Sequence, residues 1–262
     1  MNGSLDAPLL RRDAGGVTTL TLNRPLQYNA LTLALLDMLH QALADIAADP
    51  AVRVVVLAGA GKAFCAGHDL KELREERDRA AYEKVFRRCS EVMLALNRLP
   101  QPVIARVHGV AAAAGCQLVA QCDLAVSAKE ARYATSGIHV GLFCATPAVP
   151  LSRNVPRKQA MEMLLTGDFI DAATALRYGL VNRVVEASAL DDEVGSLAAA
   201  IIAKPAVAIA AGKRSFYEQL EHGLDGAYET AAQTMVCNLL TDEVAEGIDA
   251  FIEKRKPRWP TS

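Results

Sequence analysis

Three short, largely apolar runs recur in the first half of the chain. They are RVVVLAG at 53–59, PVIARVHG at 102–109 and LAVSA at 124–128. A strand that is apolar at consecutive positions has both faces covered, which is typical of parallel sheets flanked by helices. Segments with helical spacing separate the runs, at 29–50 and at 69–97. The alternation therefore predicts an α/β core with parallel strand pairing.

The segments outside these runs extend the same interpretation. GGVTTLTLNRP at 15–25 predicts another strand, and Thr32 is expected to cap the helix that follows it. The small residues of 111–123 predict a tightly packed helix. Beyond about residue 156 the sequence is helical, interrupted by a short strand at 181–186. We expect residues 1–195 to form the core and residues 196–262 a helical extension for docking or oligomerisation.

Charge and cysteine content limit the classes of function. The net charge of −2 argues against a protein that coats nucleic acid or an anionic membrane. Because Asp6 is acidic and no long apolar stretch follows, we expect the N-terminus to be neither a signal peptide nor a membrane anchor. The cysteines and the five histidines form no metal-binding spacing, so we expect reduced, mostly buried thiols, no metal and a cytoplasmic protein. The six cysteines are Cys65, Cys89, Cys116, Cys122, Cys144 and Cys237.

Common nucleotide and hydrolase motifs do not occur. GAGKAF at 59–64 resembles a phosphate-binding loop, but Val56 stands where its first glycine is needed. No G-x-G-x-x-G opens a helix after a strand, and there is no G-x-S-x-G turn. A nicotinamide cofactor and a serine hydrolase are therefore not expected.

Two junctions between a strand and a helix share one pattern. Small residues follow the apolar run at 64–69, in FCAGHD, and again at 108–117, in HGVAAAAGCQ. Helix N-termini carry unpaired N–H groups and partial positive charge, and glycine or alanine lets a ligand carbonyl approach the backbone. Two such junctions facing each other would form an oxyanion hole. Plain packing of small residues at strand ends is the alternative explanation.

The chain also resembles the crotonase superfamily, the enoyl-CoA hydratase/isomerase family, over nearly its whole length. GHDLKEL, AAGCQLVAQCD and VGLFCATPAV further resemble the enoyl-CoA hydratase domain-containing subgroup. This resemblance implies a crotonase-like ββα spiral core, an α/β fold, with a helical C-terminal trimerisation region. The matching segments are LNRPLQYNAL (22–31), GKAFCAGHDLKEL (61–73), PVIARVHGVAAAAGCQLVAQCDLAVSA (102–128), LLTGDFIDAATALRYGLVNRVV (164–185) and AFIEKRKPRW (250–259).

The resemblance implies roles for particular residues. The backbone N–H groups of His68 and Ala114 would hold the thioester oxygen of an acyl-CoA and stabilise an enolate. No separate cofactor is implied, because coenzyme A is part of the substrate, and the expected assembly is a homotrimer or a dimer of trimers. Phe251 and Lys254 would contact CoA bound to a neighbouring subunit. The other implied CoA contacts are Leu26, Ala66, His68, Asp69, Leu70 and Lys71.

At two positions the chain departs from the pattern of the family's hydratases. Their two catalytic glutamates correspond to Gln117 and to Gly137 or its neighbourhood. A glutamine can hold a water molecule but cannot exchange a proton with it, and a glycine does neither. Loss of general acid–base help costs about 10²–10⁴ in rate per group. Efficient hydration by two carboxylates is therefore not expected.

Other side chains near these positions have both a catalytic and a structural interpretation. His139 would be a base if it pointed inward, and is otherwise a loop histidine. Cys144 is a conceivable nucleophile or an inert core thiol. Asp69 and Glu72 suit the start of a helix, and the His68 side chain either reaches the acyl group or is a bystander. The hypotheses are a lyase-type hydratase/isomerase enzyme of fatty acid metabolism, an acyl-CoA decarboxylase, and a non-catalytic acyl-CoA-binding protein.

Overall fold

A computed structural model describes residues 7–259 of the chain. Its main sheet has six strands in the order β1-β2-β3-β4-β6-β9, and a smaller sheet has the order β5-β7-β8. The strands are β1 (Leu9–Ala14), β2 (Val17–Leu22), β3 (Val54–Gly59), β4 (Val103–Val107), β5 (Val110–Ala112), β6 (Leu124–Ala128), β7 (Arg132–Ala134), β8 (Ile170–Asp171) and β9 (Arg183–Val185). The helices are α1 (Leu33–Ala47), α2 (Leu70–Glu75), α3 (Arg79–Arg98), α4 (Ala114–Gln121), α5 (Ala145–Asn154), α6 (Arg157–Thr166), α7 (Ala172–Tyr178), α8 (Leu190–Ile202), α9 (Ala206–Gln219), α10 (Leu224–Leu239) and α11 (Asp242–Ile252).

The predicted parallel pairing is confirmed in the main sheet, from β2 through β3, β4 and β6 to β9, while β7 and β8 of the smaller sheet pair antiparallel. Val17 pairs with Val54, and Val55 pairs with Val103, each in parallel register. β1 pairs antiparallel with β2 and was not predicted. Its sequence, LLRRDA, buries one residue because it lies at the edge of the sheet. An edge strand with charged side chains lacks the apolar pattern by which the inner strands are recognised.

Helix α1 begins and packs as its sequence predicts. The Thr32 side chain accepts a hydrogen bond from the Leu35 N–H at 3.2 Å, which satisfies one of the unpaired donors of the first turn. The Glu72 carboxylate accepts from the Leu33 N–H at 3.0 Å. The helix buries one apolar face against the sheet, composed of Leu35, Leu36, Leu39, Leu43 and Ile46.

Two predicted helices have different limits in the structure. The helix expected over 69–97 is two helices, because the Asp78 side chain accepts from the Ala80 and Ala81 N–H groups and starts α3 anew. For the helix expected over 111–123, the predicted start is wrong. There β5 comes first, and Ala113 turns the chain at φ 47° and ψ −117° before α4 begins.

Helices cover both faces of the main sheet. On one face, α8 packs Leu190, Val194 and Ala198 against a buried cluster that includes Val54 and Ile104. The opposite face carries the larger core, to which α1, α3 and α4 contribute. The boundary expected between the core and the helical extension, at residue 195, falls inside α8. This helix, which covers one face of the sheet, therefore belongs partly to each of the two expected regions.

Helix α9 is tied to the core through a buried ion pair. Lys213 Nζ lies 2.7 Å from the Asp123 carboxylate and also donates to the backbone carbonyls of Leu96 and Gln101. Tyr217 donates to the other Asp123 oxygen at 2.7 Å. The side chains of Lys213 and Asp123 are only 7% and 14% exposed, so the pair neutralises charges that are largely removed from water.

The last two helices leave large apolar side chains uncovered. Exposed residues on α10 and α11 include Leu224, Tyr228, Met235, Val236, Leu239, Ile248, Phe251 and Ile252. Over residues 7–259, no single helix has the length and apolarity needed to cross a membrane. Residues 187–202 and 206–219 meet that test only as a pair bent by 102°.

Candidate active site

A cavity of about 340 Å³ lies where the start of α4 meets α2, α3 and the 136–147 segment. Its walls are mainly apolar, and no carboxylate side chain of the described residues lines it. The lining residues are Ala66, His68, Leu70, Leu73, Phe86, Ala113, Ala114, Ser136, Gly137, Val140, Leu142, Phe143, Cys144, Ala145, Thr146 and Pro147.

The first wall of the cavity is an extended segment that pairs with Leu31. The Leu31 N–H donates to the Gly67 carbonyl at 2.8 Å, and the Asp69 N–H donates to the Leu31 carbonyl at 2.9 Å. Because backbone groups alternate in direction along extended chain, the intervening His68 N–H faces away from Leu31. It has no acceptor within residues 7–259. His68 therefore contributes an unpaired backbone donor on the side of the segment away from Leu31.

The second wall is the turn from β5 into α4. The Ala113 N–H donates to the Ala134 carbonyl at 2.8 Å, which holds the turn against β7. Ala113 has positive φ, an uncommon conformation for a residue with a side chain. Ala114 is the first residue of α4, and its N–H has no acceptor in the described part of the chain. A second unpaired donor therefore lies at the positive end of a helix.

The two walls are in direct contact, and glycine makes this possible. Gly67 has φ +99°, and a Cβ added there would lie 2.9 Å from the Ala113 Cβ and 3.2 Å from the Ala114 N. A Cβ added at Gly115 would lie 2.0 Å from the Cys65 carbonyl oxygen. The structure thus brings His68 and Ala114, the two residues that the family resemblance implies as donors, into the wall of one cavity.

The His68 ring is neutral and enclosed. Its two ring nitrogens are buried and have no hydrogen-bond partner among the described residues. The ring packs edge-on against Phe86, with 5.2 Å between ring centroids. Burial lowers the pKa of His68 to about 4, and the Leu31 backbone acts in the opposite direction without reversing the shift. The imidazole is therefore uncharged at neutral pH.

Asp69 and Glu72 have structural partners. Asp69 caps α2 by accepting from the Lys71 and Glu72 N–H groups, and its carboxylate also pairs with Arg24 at 3.0 Å. The Glu72 carboxylate is bound to the start of α1. Burial raises the pKa of Asp69, but the hydrogen bonds from Arg24 and the α2 backbone outweigh it and lower the pKa. The structural interpretation of both carboxylates fits these contacts.

The two positions that correspond to the family glutamates differ in setting. Gln117 is 3% exposed, lies one turn after Ala114 and is not among the lining residues. Its amide oxygen is buried without a hydrogen-bond partner among the described residues. Gly137 does line the cavity, but a Cβ there would lie 2.5 Å from the Leu142 carbonyl oxygen and 2.8 Å from the Cys144 Sγ. The fold therefore has no room for a side chain at position 137.

His139 and Cys144 differ in whether their side chains line the cavity. His139 Nε2 lies 3.0 Å from the Thr166 carbonyl oxygen, and the side chain does not line the cavity. It lies in a short 3-10 helix, Ser136–Val140, and faces away from the cavity. Cys144 lines the cavity and its Sγ accepts a hydrogen bond from the Gly137 N–H at 3.3 Å. Burial raises the pKa of the Cys144 thiol, so it is not a thiolate nucleophile at neutral pH.

The residues expected to contact CoA are spread over three places. Ala66 and Leu70 line the cavity, while Leu26 is 88% exposed and Lys71 is exposed. Phe251 and Lys254 lie exposed at the end of α11 and are not among the lining residues. Sequence reasoning did not find the apolar lining residues Leu73, Phe86, Val140, Leu142, Phe143 and Pro147.

Comparison with known proteins identifies the class of this structure. A crystal structure described as enoyl-CoA hydratase from Mycobacterium smegmatis is 58% identical and superimposes with a TM-score of 0.96. That alignment covers 97% of this chain and all of the other. The enoyl-CoA hydratase domain-containing protein 3, mitochondrial, of Homo sapiens is 44% identical over 252 residues, which are 96% of this chain and 83% of the human protein. Its Rattus norvegicus counterpart is 45% identical over 248 residues, which are 95% and 83% of the two chains.

The fold is that of the crotonase superfamily, as the resemblance predicted. The family model for enoyl-CoA hydratase/isomerase matches residues 12–262, and the chain belongs to this family. The resemblance to the domain-containing subgroup is also confirmed. The expected cytoplasmic location is wrong by the same comparison, because the human and rat relatives are named as mitochondrial proteins.

Proposed function

We propose that the cavity binds the acyl part of a CoA thioester and stabilises its enolate with the backbone N–H groups of His68 and Ala114. The observation that carries this proposal is a pair of backbone donors in adjoining walls of one cavity, neither of which has an acceptor among residues 7–259. A thioester oxygen that accepts from both donors gains negative charge as the enolate forms. Each donor of this kind contributes about 10²–10³ in rate.

The character of the walls supports an apolar acyl group. Leu73, Phe86 and Leu142 surround the space, which is about twice the 150 Å³ of an engineered apolar cavity that holds benzene. Leu26 and Lys71, outside the lining, are exposed for contacts with the rest of the CoA molecule. Coenzyme A thus enters as part of the substrate and not as a separate cofactor.

The lining favours a reaction of the lyase or isomerase type that does not depend on two carboxylates. Hydration needs groups that take and deliver protons, and neither Gln117 nor Gly137 supplies one. Loss of CO₂ from an α-carboxyacyl-CoA is a second candidate. In that reaction the broken C–C bond itself leaves its electron pair on the α-carbon, so enolate stabilisation is the main requirement. The lack of lining carboxylates among the described residues favours this candidate.

A binding experiment tests the role of the carbonyl. Isothermal titration would compare butanoyl-CoA with the matched thioether, S-butyl-CoA, which lacks the oxygen, and with free CoA. Two additional hydrogen bonds of about 0.5–1.5 kcal/mol each predict that the thioester binds about 5- to 150-fold more tightly than the thioether. Equal affinities would contradict the proposed oxyanion site.

Turnover assays distinguish the reactions. Crotonyl-CoA reports hydration through loss of the absorbance of its conjugated thioester, and malonyl-CoA or methylmalonyl-CoA reports CO₂ release. We expect weak or no hydration. Binding of all acyl-CoAs without turnover of any would instead identify an acyl-CoA-binding protein.

The proposed assembly is a homotrimer or a dimer of trimers joined through residues 196–262. The exposed apolar residues of α10 and α11 support this, because a monomer would leave them in contact with water. Phe251 and Lys254 of one subunit would then contact CoA bound to the next. Sedimentation velocity tests the assembly, and a monomer at micromolar concentration would contradict it.

A further inference from the structure

Among the described residues, the cavity lining includes one thiol, that of Cys144. Its Sγ lies 2.8 Å from the point where a side chain at Gly137 would begin, and it accepts the Gly137 N–H at 3.3 Å. The sulfur therefore occupies the space that a longer side chain at position 137 would need. Position 137 is also where the resemblance places a proton-transferring carboxylate.

The thiol is also placed near the start of α4. Burial raises the pKa of Cys116 to about 12, and the neighbouring Cys144 adds to that increase. Cys116 follows Ala114 by two residues in α4. Cys144 and the Ala114 N–H thus line one cavity on elements that are packed together.

The S–H group of Cys144 donates no hydrogen bond to another group among the described residues. Sγ accepts one hydrogen bond, and Cys144 donates none among residues 7–259. Burial raises the pKa of the thiol, so at neutral pH it keeps a proton that it can deliver to a stronger base. The α-carbon of a thioester enolate is such a base.

We propose that Cys144 exchanges a proton with the α-carbon of the CoA thioester bound in the cavity. The inference rests on the proposed function and adds the proton-transfer group to it. In the forward step the electron pair of the enolate takes the proton, so a C–H bond forms and the S–H bond breaks. The thiolate that is left is held by the Gly137 N–H and regains a proton from water. In reverse, the thiolate removes the α-proton and the enolate oxygen rests on the two backbone donors.

Other lining groups are less suited to this role. The ring nitrogens of His68 are buried and enclosed beside Phe86. Ser136 and Thr146 carry hydroxyls, which are much weaker acids than a thiol. Gln117 is not in the lining and has no proton to exchange.

Deuterium exchange into butanoyl-CoA tests the proposal without requiring the complete reaction. The thioester is incubated with the protein in D₂O, and loss of the α-CH₂ signal is followed by proton NMR. We expect Cys144→Ala to slow exchange by about 10²–10⁴ while butanoyl-CoA affinity changes less than threefold. Cys144→Ser keeps an acceptor for the Gly137 N–H and should exchange slowly as well. Cys122→Ala, which removes a buried thiol outside the lining, should exchange like the wild type.

The pH profile of the wild-type protein gives a readout that needs no variant. Because the active base is the thiolate and the pKa of Cys144 is raised, the exchange rate should rise about tenfold per pH unit from pH 6 to pH 8.5, above the rate of free butanoyl-CoA. A rate that is flat above pH 5 would assign the base to His68 and overturn the proposal. Exchange retained in a folded Cys144→Ala variant, or binding without exchange in the wild type, would also overturn it. Failure to bind butanoyl-CoA would instead overturn the proposed function itself.

Discussion

Replacing Gly67 by alanine tests the contact between the two walls of the cavity. The new Cβ would lie 2.9 Å from the Ala113 Cβ and 3.2 Å from the Ala114 N, at a backbone φ of +99°. A side chain in such a conformation costs about 1–3 kcal/mol. For a chain of this size, roughly 2–4 °C of melting temperature is lost per kcal/mol, so Gly67→Ala should melt about 2–12 °C lower.

The effect on chemistry should exceed the effect on stability. The walls can accept the methyl group only by moving apart, which displaces the His68 or Ala114 N–H from the thioester oxygen. Loss of one such donor lowers the rate about 10²–10³-fold. Deuterium exchange into butanoyl-CoA should therefore fall by this factor, and titration should show weaker preference for the thioester over S-butyl-CoA.

Alanine substitutions at two other glycines serve as controls that separate backbone strain from steric contact with the facing wall. Gly15 has φ +58° with no atom within 4 Å of an added Cβ, so Gly15→Ala measures strain alone. Gly195 lies in α8 with open space and ordinary φ, and Gly195→Ala should stabilise the protein by about 0.5–1 kcal/mol. If Gly67→Ala melts like Gly15→Ala and exchanges deuterium at the wild-type rate, the two walls do not form the proposed site.

Three further predictions concern the surroundings of the site. Gly137→Ala should melt several degrees lower in calorimetry, because its Cβ meets the Leu142 carbonyl oxygen at 2.5 Å, whereas Gly212→Ala, in α9 with open space among the described residues and no positive φ, should not. Since His68 has a pKa of about 4 when folded and 6.5 when unfolded, the unfolded chain binds more protons between these values. Stability in urea should fall by about 3 kcal/mol as the pH drops from 6.5 to 4, and His68→Gln should remove this dependence. Lys213→Met should lose about 3–5 kcal/mol in the same assay, because it leaves the Asp123 carboxylate buried without its cation.

The sequence predicted the elements whose patterns are regular. The inner strands were recognisable because they are apolar on both faces, and the start of α1 because Thr32 is a good cap. β1 was missed because edge strands are polar. The break before Asp78 and the turn at Ala113 depend on local hydrogen bonds and on positive φ, which leave little trace in composition.

The two backbone donors of the candidate site could be predicted, but the apolar side chains that line its cavity could not. Small residues at two strand ends suggested an oxyanion hole, and the family resemblance assigned its two donors to His68 and Ala114. Phe86, Val140 and Leu142 were not, because an apolar residue that lines a cavity has the same chemistry as one in the core. The crowding at Gly137 was also invisible, since it depends on how residues 137–144 fold back on themselves.

The ion pair between Lys213 and Asp123 bears on whether the helical end of the chain is a detachable module. Asp123 lies between α4 and β6, and its carboxylate also accepts the Val103 N–H at the start of β4. A protein shortened before α9 would keep this anion and lose its counterion. We therefore expect a truncated chain of residues 1–195 to be less stable than the full chain, because it loses both hydrogen-bond partners that α9 provides to Asp123, even before any subunit contact is considered.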